Sequence, residues 1–418
     1  MNLSYTTLIL RKSAANLARA ALVPALMSAG LTLAPGRADA LGNDTVFLRG
    51  FTNATYDNNV FRIADGLNPE PFLGTDRKSD TIWGYGAGIR LDAPISRQRI
   101  KLDASATKYD YQHFDQLDFT GYKARGSWDW RAGELWHGVA YGGFRKERQG
   151  YISDIAVQIP RLMKVYDGGV DARYALTTRW ELQGGLSAYK VRLDNDAFEA
   201  DNFDSNTYSL GAAYKSPLGN STGFRVKYEK GDWPDRPPSP PALYANEYKQ
   251  YTLSAVVDWY LTGKSRLYGD AGYTWRENND VGGRDFDGPS GRLNFDYYFT
   301  GKTTGRASVY ETRGAVQDVT ATYTKTTGLD LSMVYQATEK TQLEAKASFQ
   351  KIDYEGQTLV AVSEQRQDKY TMFTLGAAYE LMRTVSLSGG ATYTKRSSNV
   401  PFGDYDDYTL YLGASIEF

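Results

Sequence analysis

His113 and His137 are the only two histidines in 418 residues, and cysteine is absent. Thiol catalysis, disulfides and zinc–thiolate sites are thereby excluded. A serine nucleophile needs a histidine within reach and an acid that orients it. Ser105 precedes His113 along one stretch of chain, but nothing in the spacing supplies a third member. His113 therefore reads as a loop residue, and His137 as the start of a strand beside Trp136. No catalytic group is expected. The runs Asp194-Asn195-Asp196 and Asp404, Asp406 and Asp407 offer the oxygen donors that calcium prefers. Solvated loops are their simpler reading, and neither metal nor cofactor is expected. Val281-Gly282-Gly283-Arg284 lacks the strand and helix that frame a phosphate loop. The proline-rich stretch 234–241 reads as a stiff connector. With 48 basic and 49 acidic residues, the chain carries no basic footprint for nucleic acid.

The remaining polar chemistry is dispersed, with charges recurring on alternate residues. Lys101, Asp103, Lys123, Arg125, Asp129, Arg131, Asp171 and Arg173 belong to this set in the first half. Arg225, Lys227, Asp258, Arg266, Asp270, Arg292, Asp296 and Arg306 continue it, joined by Asp167, Glu181, Glu229 and Asp330. Both signs intermix with serine, threonine, glutamine and tyrosine. A dry core would not tolerate such a face. A water-filled lumen would, either as cross-wall salt bridges or as a conduit for a hydrated, hydroxyl-rich solute.

The elements that position these residues must have a period of two, because a strand sends successive side chains to opposite faces. Tyr122, Ala124, Gly126, Trp128 and Trp130 oppose Lys123, Arg125, Ser127, Asp129 and Arg131. The same alternation runs through 252–261, 266–276, 292–299 and 373–381. Aromatic residues concentrate towards the ends of the apolar faces, as interfacial girdles around a membrane band would require. Short connections such as 93–97 and 262–264 alternate with long ones such as 57–79, 112–117, 147–164, 231–247 and 314–320. The expected fold is all-β: a transmembrane antiparallel up-and-down barrel of about 18 strands, within about 16–20, with both termini periplasmic. The first strand, about 45–56, alternates poorly, because Arg49 lies between Phe47 and Phe51. In the thirteenth strand Glu311 falls on the lipid side.

Residues 1–40 read as a signal peptide: Arg11, Lys12 and Arg19 precede an apolar run, and Ala38-Asp39-Ala40 has the small-x-small form of a cleavage site. The barrel then occupies 41–418. On the last strand Tyr408, Leu410, Leu412, Ala414, Ile416 and Phe418 share one face. That pattern is similar to the insertion signal of outer-membrane proteins and implies the barrel assembly machinery as a partner. Location in a Gram-negative outer membrane follows, with membrane lipid and lipopolysaccharide as surroundings.

Residues 54–62 (Ala-Thr-Tyr-Asp-Asn-Asn-Val-Phe-Arg), 79–82 and 88–99, continuing through Leu102-Asp103-Ala104 and Tyr109-Asp110-Tyr111, carry a more specific likeness. They resemble the exosortase-associated EpsL-type outer-membrane β-barrel transporters of exopolysaccharide biosynthesis loci. The likeness is sharpest over residues 45–135. It implies polysaccharide secretion beside a periplasmic polysaccharide export protein and an inner-membrane copolymerase. The alternative is a diffusion or nutrient porin for small hydrophilic solutes. The segment 147–164, with Ile152, Ile155, Val157, Ile159 and Leu162, could fold inward as a porin constriction.

Overall fold

The computed structural model describes residues 45–148, 161–236, 246–279, 285–318, 321–356 and 365–418. The signal segment, the hydrophobic stretch 149–160 and Val281–Arg284 lie outside these residues. The first nine strands are β1 (Val46–Asp57), β2 (Asp80–Ile95), β3 (Gln98–Tyr111), β4 (Phe119–Ala132), β5 (Trp136–Arg148), β6 (Leu162–Ala175), β7 (Trp180–Leu193), β8 (Phe203–Lys215) and β9 (Ser221–Asp232). Then come β10 (Glu247–Thr262), β11 (Ser265–Asn278), β12 (Phe286–Thr300), β13 (Thr303–Asp318), β14 (Ala321–Gln336), β15 (Thr341–Glu355), β16 (Gln367–Glu380), β17 (Val385–Ser398) and β18 (Tyr405–Glu417). A four-residue helix, α1 (Glu70–Leu73), lies in the first long connection.

Every strand pairs antiparallel with its sequence neighbours, and β1 pairs with both β2 and β18. The result is a closed 18-stranded up-and-down barrel. Closure removes sheet edges and satisfies the backbone internally, the condition for crossing lipid with strands. At the seam, Leu48 and Phe418 exchange two backbone hydrogen bonds of 2.9 Å each. The start of β1 and the end of β18 lie together at the end of the barrel that carries the short turns. No helix among the described residues is long and apolar enough to cross a membrane.

Outward residues are apolar and bare. Leu210 is 70% exposed, Leu375 65% and Leu412 72%. An apolar band this continuous needs lipid as its solvent. Aromatic side chains bound it. Towards the short turns, Trp136 packs on Tyr174 at 4.8 Å and Trp180 on Tyr214 at 5.4 Å. Towards the long connections, Phe144 meets Tyr166 at 5.0 Å and Tyr228 meets Tyr251 at 5.1 Å.

The structure differs from the sequence expectations at several strand ends. The connection expected over 314–320 is mostly strand, since β13 runs to Asp318 and β14 begins at Ala321. The loop expected over 147–164 begins only after Arg148 and ends before Leu162. Beyond the apolar band the outward side chains become polar, so hydropathy alternation vanishes while the hydrogen-bond ladder continues. In β1, Phe47, Arg49 and Phe51 all face inward, in register with Arg90, Gly88 and Gly86. Phe51 has room there because Gly86 lacks a Cβ, which would meet its ring at 2.8 Å. Glu311 does face outward, towards the end that carries the long connections, where Arg313 Nη2 pairs with it at 3.0 Å.

Candidate functional site: the inner wall of the barrel

Cross-strand partners share a face, so the register assigns the charged residues directly. Asp103 lies opposite Arg125, Lys101 opposite Ser127, and Ser105 opposite Lys123. Arg131 and Arg173 both lie opposite His137, and Asp171 lies opposite Val139, which is itself opposite Asp129. Arg225 and Lys227 join this face through Gly211 and Ser209. Asp258 lies opposite Tyr268, Asp270 opposite Arg292, and Asp296 opposite both Arg266 and Arg306. All of these positions share the inner face, and the exposed leucines occupy the other.

Most of the inner charges close into pairs. Arg266 grips Asp258 with two bonds of 2.7 and 2.6 Å, and Arg306 grips Asp296 at 2.6 and 2.9 Å. Other pairs skip a strand: Arg125–Asp167 at 3.3 Å, Arg292–Asp330 at 3.1 Å and Arg49–Asp103 at 3.4 Å. Inner side chains of a barrel converge, which brings such partners within reach. Glycine at Gly143 keeps one path clear, because a Cβ there would meet Asp167 Oδ1 at 2.7 Å. Hydroxyls fill the spaces between charges, as in the chain Thr252–Thr274–Ser290 at 2.9 and 2.6 Å. Arg266 and Asp296 are each 1% exposed, so desolvation offsets much of the Coulombic gain of their pairs. Their larger consequence is electrostatic: opposite charges side by side leave no ring of one sign to select an ion.

Towards the long connections the inner wall changes character, in a way that sequence reasoning missed. Arginines stack on aromatic rings: Arg276 lies 3.7 Å from the Tyr248 centroid, Arg292 3.9 Å from Tyr310, and Arg366 4.3 Å from Tyr354. Arg396 reaches Tyr370 and Tyr405 at 5.8 and 5.9 Å and bonds Asp368 at 3.0 Å. The signal was present as arginine and tyrosine on the same alternate positions of β10–β18. Aromatic residues at alternate positions read as a lipid face instead.

The mouth is partly filled. Val60, Tyr111, Phe114 and Leu117 form a buried cluster with Phe61, Leu73 and Ile82 packed against it. Tyr111 and Ile82 are cross-strand partners on the inner face, so the first two long connections fold over the lumen. A clasp holds the first of them. Arg62 Nη1 bonds both carboxylate oxygens of Asp57, at 2.8 and 2.9 Å, and Nη2 reaches Asp407 at 3.3 Å. Burial works against the Arg62 cation, but the adjacent Asp57 and Asp407 outweigh it and raise its pKa.

His113, His137 and Asp194 have structural partners. His113 Nδ1 lies 3.1 Å from Asp80 Oδ1, and Asp80 also accepts from the His113 and Phe114 backbone amides. Ser105 lies six residues along β3 from Tyr111, roughly 20 Å away, so it cannot complete a triad. His137 lies 3.7 Å from Glu181, which also binds Lys215 and Arg173. Asp194 sits between Lys146 and Lys164 at 2.7 and 2.6 Å. Burial pushes its pKa up, but the two lysines prevail and lower it. Among the described residues no group of three or more histidines and acids could hold a metal ion.

A closed barrel with an apolar band outside and paired charges inside is a porin-type barrel. Residues 265–418, from the start of β11 to the end of β18, match the family model described as "Putative beta-barrel porin 2". The match does not extend to residues 45–135. Of solved structures, OccAB3 of Acinetobacter baumannii is similar at 12% identity and a TM-score of 0.47, over 90% of this chain and 100% of that one. OccK1 (OpdK) of Pseudomonas aeruginosa is similar at 12% identity and 0.45, over 89% and 99%. The siderophore receptor PirA of Pseudomonas aeruginosa is similar at 12% and 0.41, over 89% and 80%. No curated protein matches the sequence.

Proposed function

We propose that this barrel is an outer-membrane channel for hydrated saccharide, and specifically a conduit through which an exopolysaccharide leaves the cell. The reading rests on the inner wall. Charges of both signs close on one another among hydroxyls, which wets the lumen without a one-sign field. Such a wall favours an uncharged, hydroxyl-rich solute over an ion, and a bore of eighteen strands has room for an aqueous path. The working partners under this reading are the polymer itself and a periplasmic polysaccharide export protein. The barrel assembly machinery inserts the chain, and no chemistry is performed on the cargo. The long connections face the cell exterior and the short turns the periplasm.

A second reading, diffusion of small hydrophilic solutes, is favoured by the mouth, where the cluster around Leu117 narrows the opening. A clean deletion strain separates the two. Polymer export predicts loss of surface polysaccharide with unchanged uptake of small sugars; the diffusion reading predicts the reverse. Normal polysaccharide output from the deletion strain would sink the export reading.

A further inference from the structure

In one part of the inner wall the charges do not close. Asp171, Arg225, Lys227 and Asp270 face the lumen from β6, β9 and β11, and none has an ion pair within 4.0 Å or a side-chain hydrogen bond among the described residues. The contrast with the 2.6 Å pairs of Arg266 and Arg306 is local, since Arg266 and Asp270 sit on the same strand. Each cation nonetheless lies in the field of both carboxylates. The register explains the spacing. Asp171 and Lys227 occupy one lateral row with only Gly185 and Ser209 between them, and Asp171 leans over Gly185, where a Cβ would meet its Oδ1 at 2.6 Å. In the next row Ser254 stands beside Arg225, and its Oγ is buried without a hydrogen-bond partner. The patch also has an aromatic neighbour. The Tyr141 ring lies along the wall over Gly169, two residues from Asp171, where a Cβ would meet the phenol oxygen at 2.8 Å.

We propose that this open quartet is a binding station for an uncharged saccharide unit, an inference that rests on the channel reading above. A sugar hydroxyl donates one hydrogen bond and accepts others. It can bridge a carboxylate to a guanidinium or ammonium that stands too far away for direct contact. Two acids and two cations give the patch no net charge, so an acidic sugar would gain from Arg225 and Lys227 what it lost to Asp171 and Asp270. Hydrogen bonds to charged groups are the strong ones. A few of them hold a passing sugar briefly without trapping it.

The test uses the refolded barrel in planar bilayers with maltohexaose as probe and hexagalacturonate as its charged counterpart. Maltohexaose should interrupt the current in resolved blockades. Replacing one charge of each sign, Lys227→Met with Asp270→Asn, conserves net charge, so a change in blockade time cannot come from the overall field. Blockades should shorten by about a hundredfold or more, the loss expected when two such bonds disappear. Equal blockade times in the variant, or longer retention of hexagalacturonate than of maltohexaose, would overturn the assignment. Saturation-transfer NMR with maltohexaose on the detergent-solubilised barrel reads contact whether or not current flows. Contact that the double variant loses supports the station even if conductance fails, in which case only the channel reading falls. Absence of contact with the unaltered barrel removes the station itself.

Discussion

Replacing Arg62 by methionine should unfasten the first long connection without unfolding the barrel. Methionine keeps the length and apolar stem of the side chain but removes the guanidinium. Asp57 and Asp407, whose side chains are 9% and 2% exposed, then face each other without a counter-ion. Breaking a buried ion pair by removing one partner costs about 3–5 kcal/mol. The strand ladder around the seam is untouched, so the cost falls on the segment that Arg62 belongs to. That segment is otherwise held by the Asn58 amide on Tyr408 O at 3.2 Å, the Tyr408 amide on Asn58 Oδ1 at 2.7 Å and the Asp65 amide on Asp404 O at 2.9 Å, with Val60 and Ile63 buried beneath it. At about 1.4 kcal/mol per decade, local opening should rise by about two to four orders of magnitude. Hydrogen exchange followed by mass spectrometry on peptides covering 58–66 measures this directly, with peptides from β14 as the internal standard. Adding Asp57→Asn and Asp407→Asn to Arg62→Met removes the stranded charges and should restore much of the protection. Unchanged exchange in Arg62→Met, or no recovery in the triple variant, would refute the electrostatic account of the clasp.

Leu210→Arg places a charge in the middle of the outward band and should cost about 2–4 kcal/mol of folding stability. Arg125→Glu with Arg131→Glu, on the inner face of β4, should leave heat-modifiable migration intact. Failure of the double variant to insert while Leu210→Arg assembles would mean that the faces are inverted. Deleting Phe418 removes both hydrogen bonds to Leu48, so unfolded protein should accumulate in the periplasm; normal heat-modifiable migration of the truncated chain would contradict the seam's role. For Asp194 the folded pKa lies below the unfolded one, so its contribution is complete above the unfolded value and disappears as pH falls through the folded value. Limited proteolysis of 194–202 should therefore change only below about pH 4, and loosening above pH 5 would count against the Lys146–Asp194–Lys164 clasp.

The barrel was legible because its two solvents impose opposite demands on alternate residues. Trp128 beside Ser127 and Leu293 beside Arg292 show this two-residue code as plainly as the folded barrel does. Facing was harder to read where an inner aromatic replaced an inner charge: Phe51 stacks under Arg49 at 5.6 Å and made β1 look irregular. The strand extensions at Asp318 and Arg148 were invisible to hydropathy, because backbone pairing leaves no trace in side-chain polarity once lipid is left behind. Which charges pair and which stay apart was not legible at all. Arg266 and Arg225 look alike in sequence; one is clamped to Asp258 and the other stands open because of what lies opposite on neighbouring strands. Residues 58–66 are fastened over the mouth by contacts such as Arg62 with Asp407 across the seam, between positions 345 apart in sequence, that no local pattern announces.

The pairing of β1 with β18 also governs how the molecule must fold. Seventeen of the ladders join neighbours and can form locally, hairpin by hairpin; the eighteenth joins Arg49 to Glu417. That ladder forms only when the two extremes of the sheet meet, and no local contact offsets the ordering this requires. Contact order is therefore concentrated in a single late event, and such events are slow. Until it occurs, the sheet has two long unpaired edges, one at each extreme of the sequence, each a template for pairing with another copy. The lifetime of that open sheet, more than the stability of the finished barrel, should set how much of the protein survives its passage to the membrane.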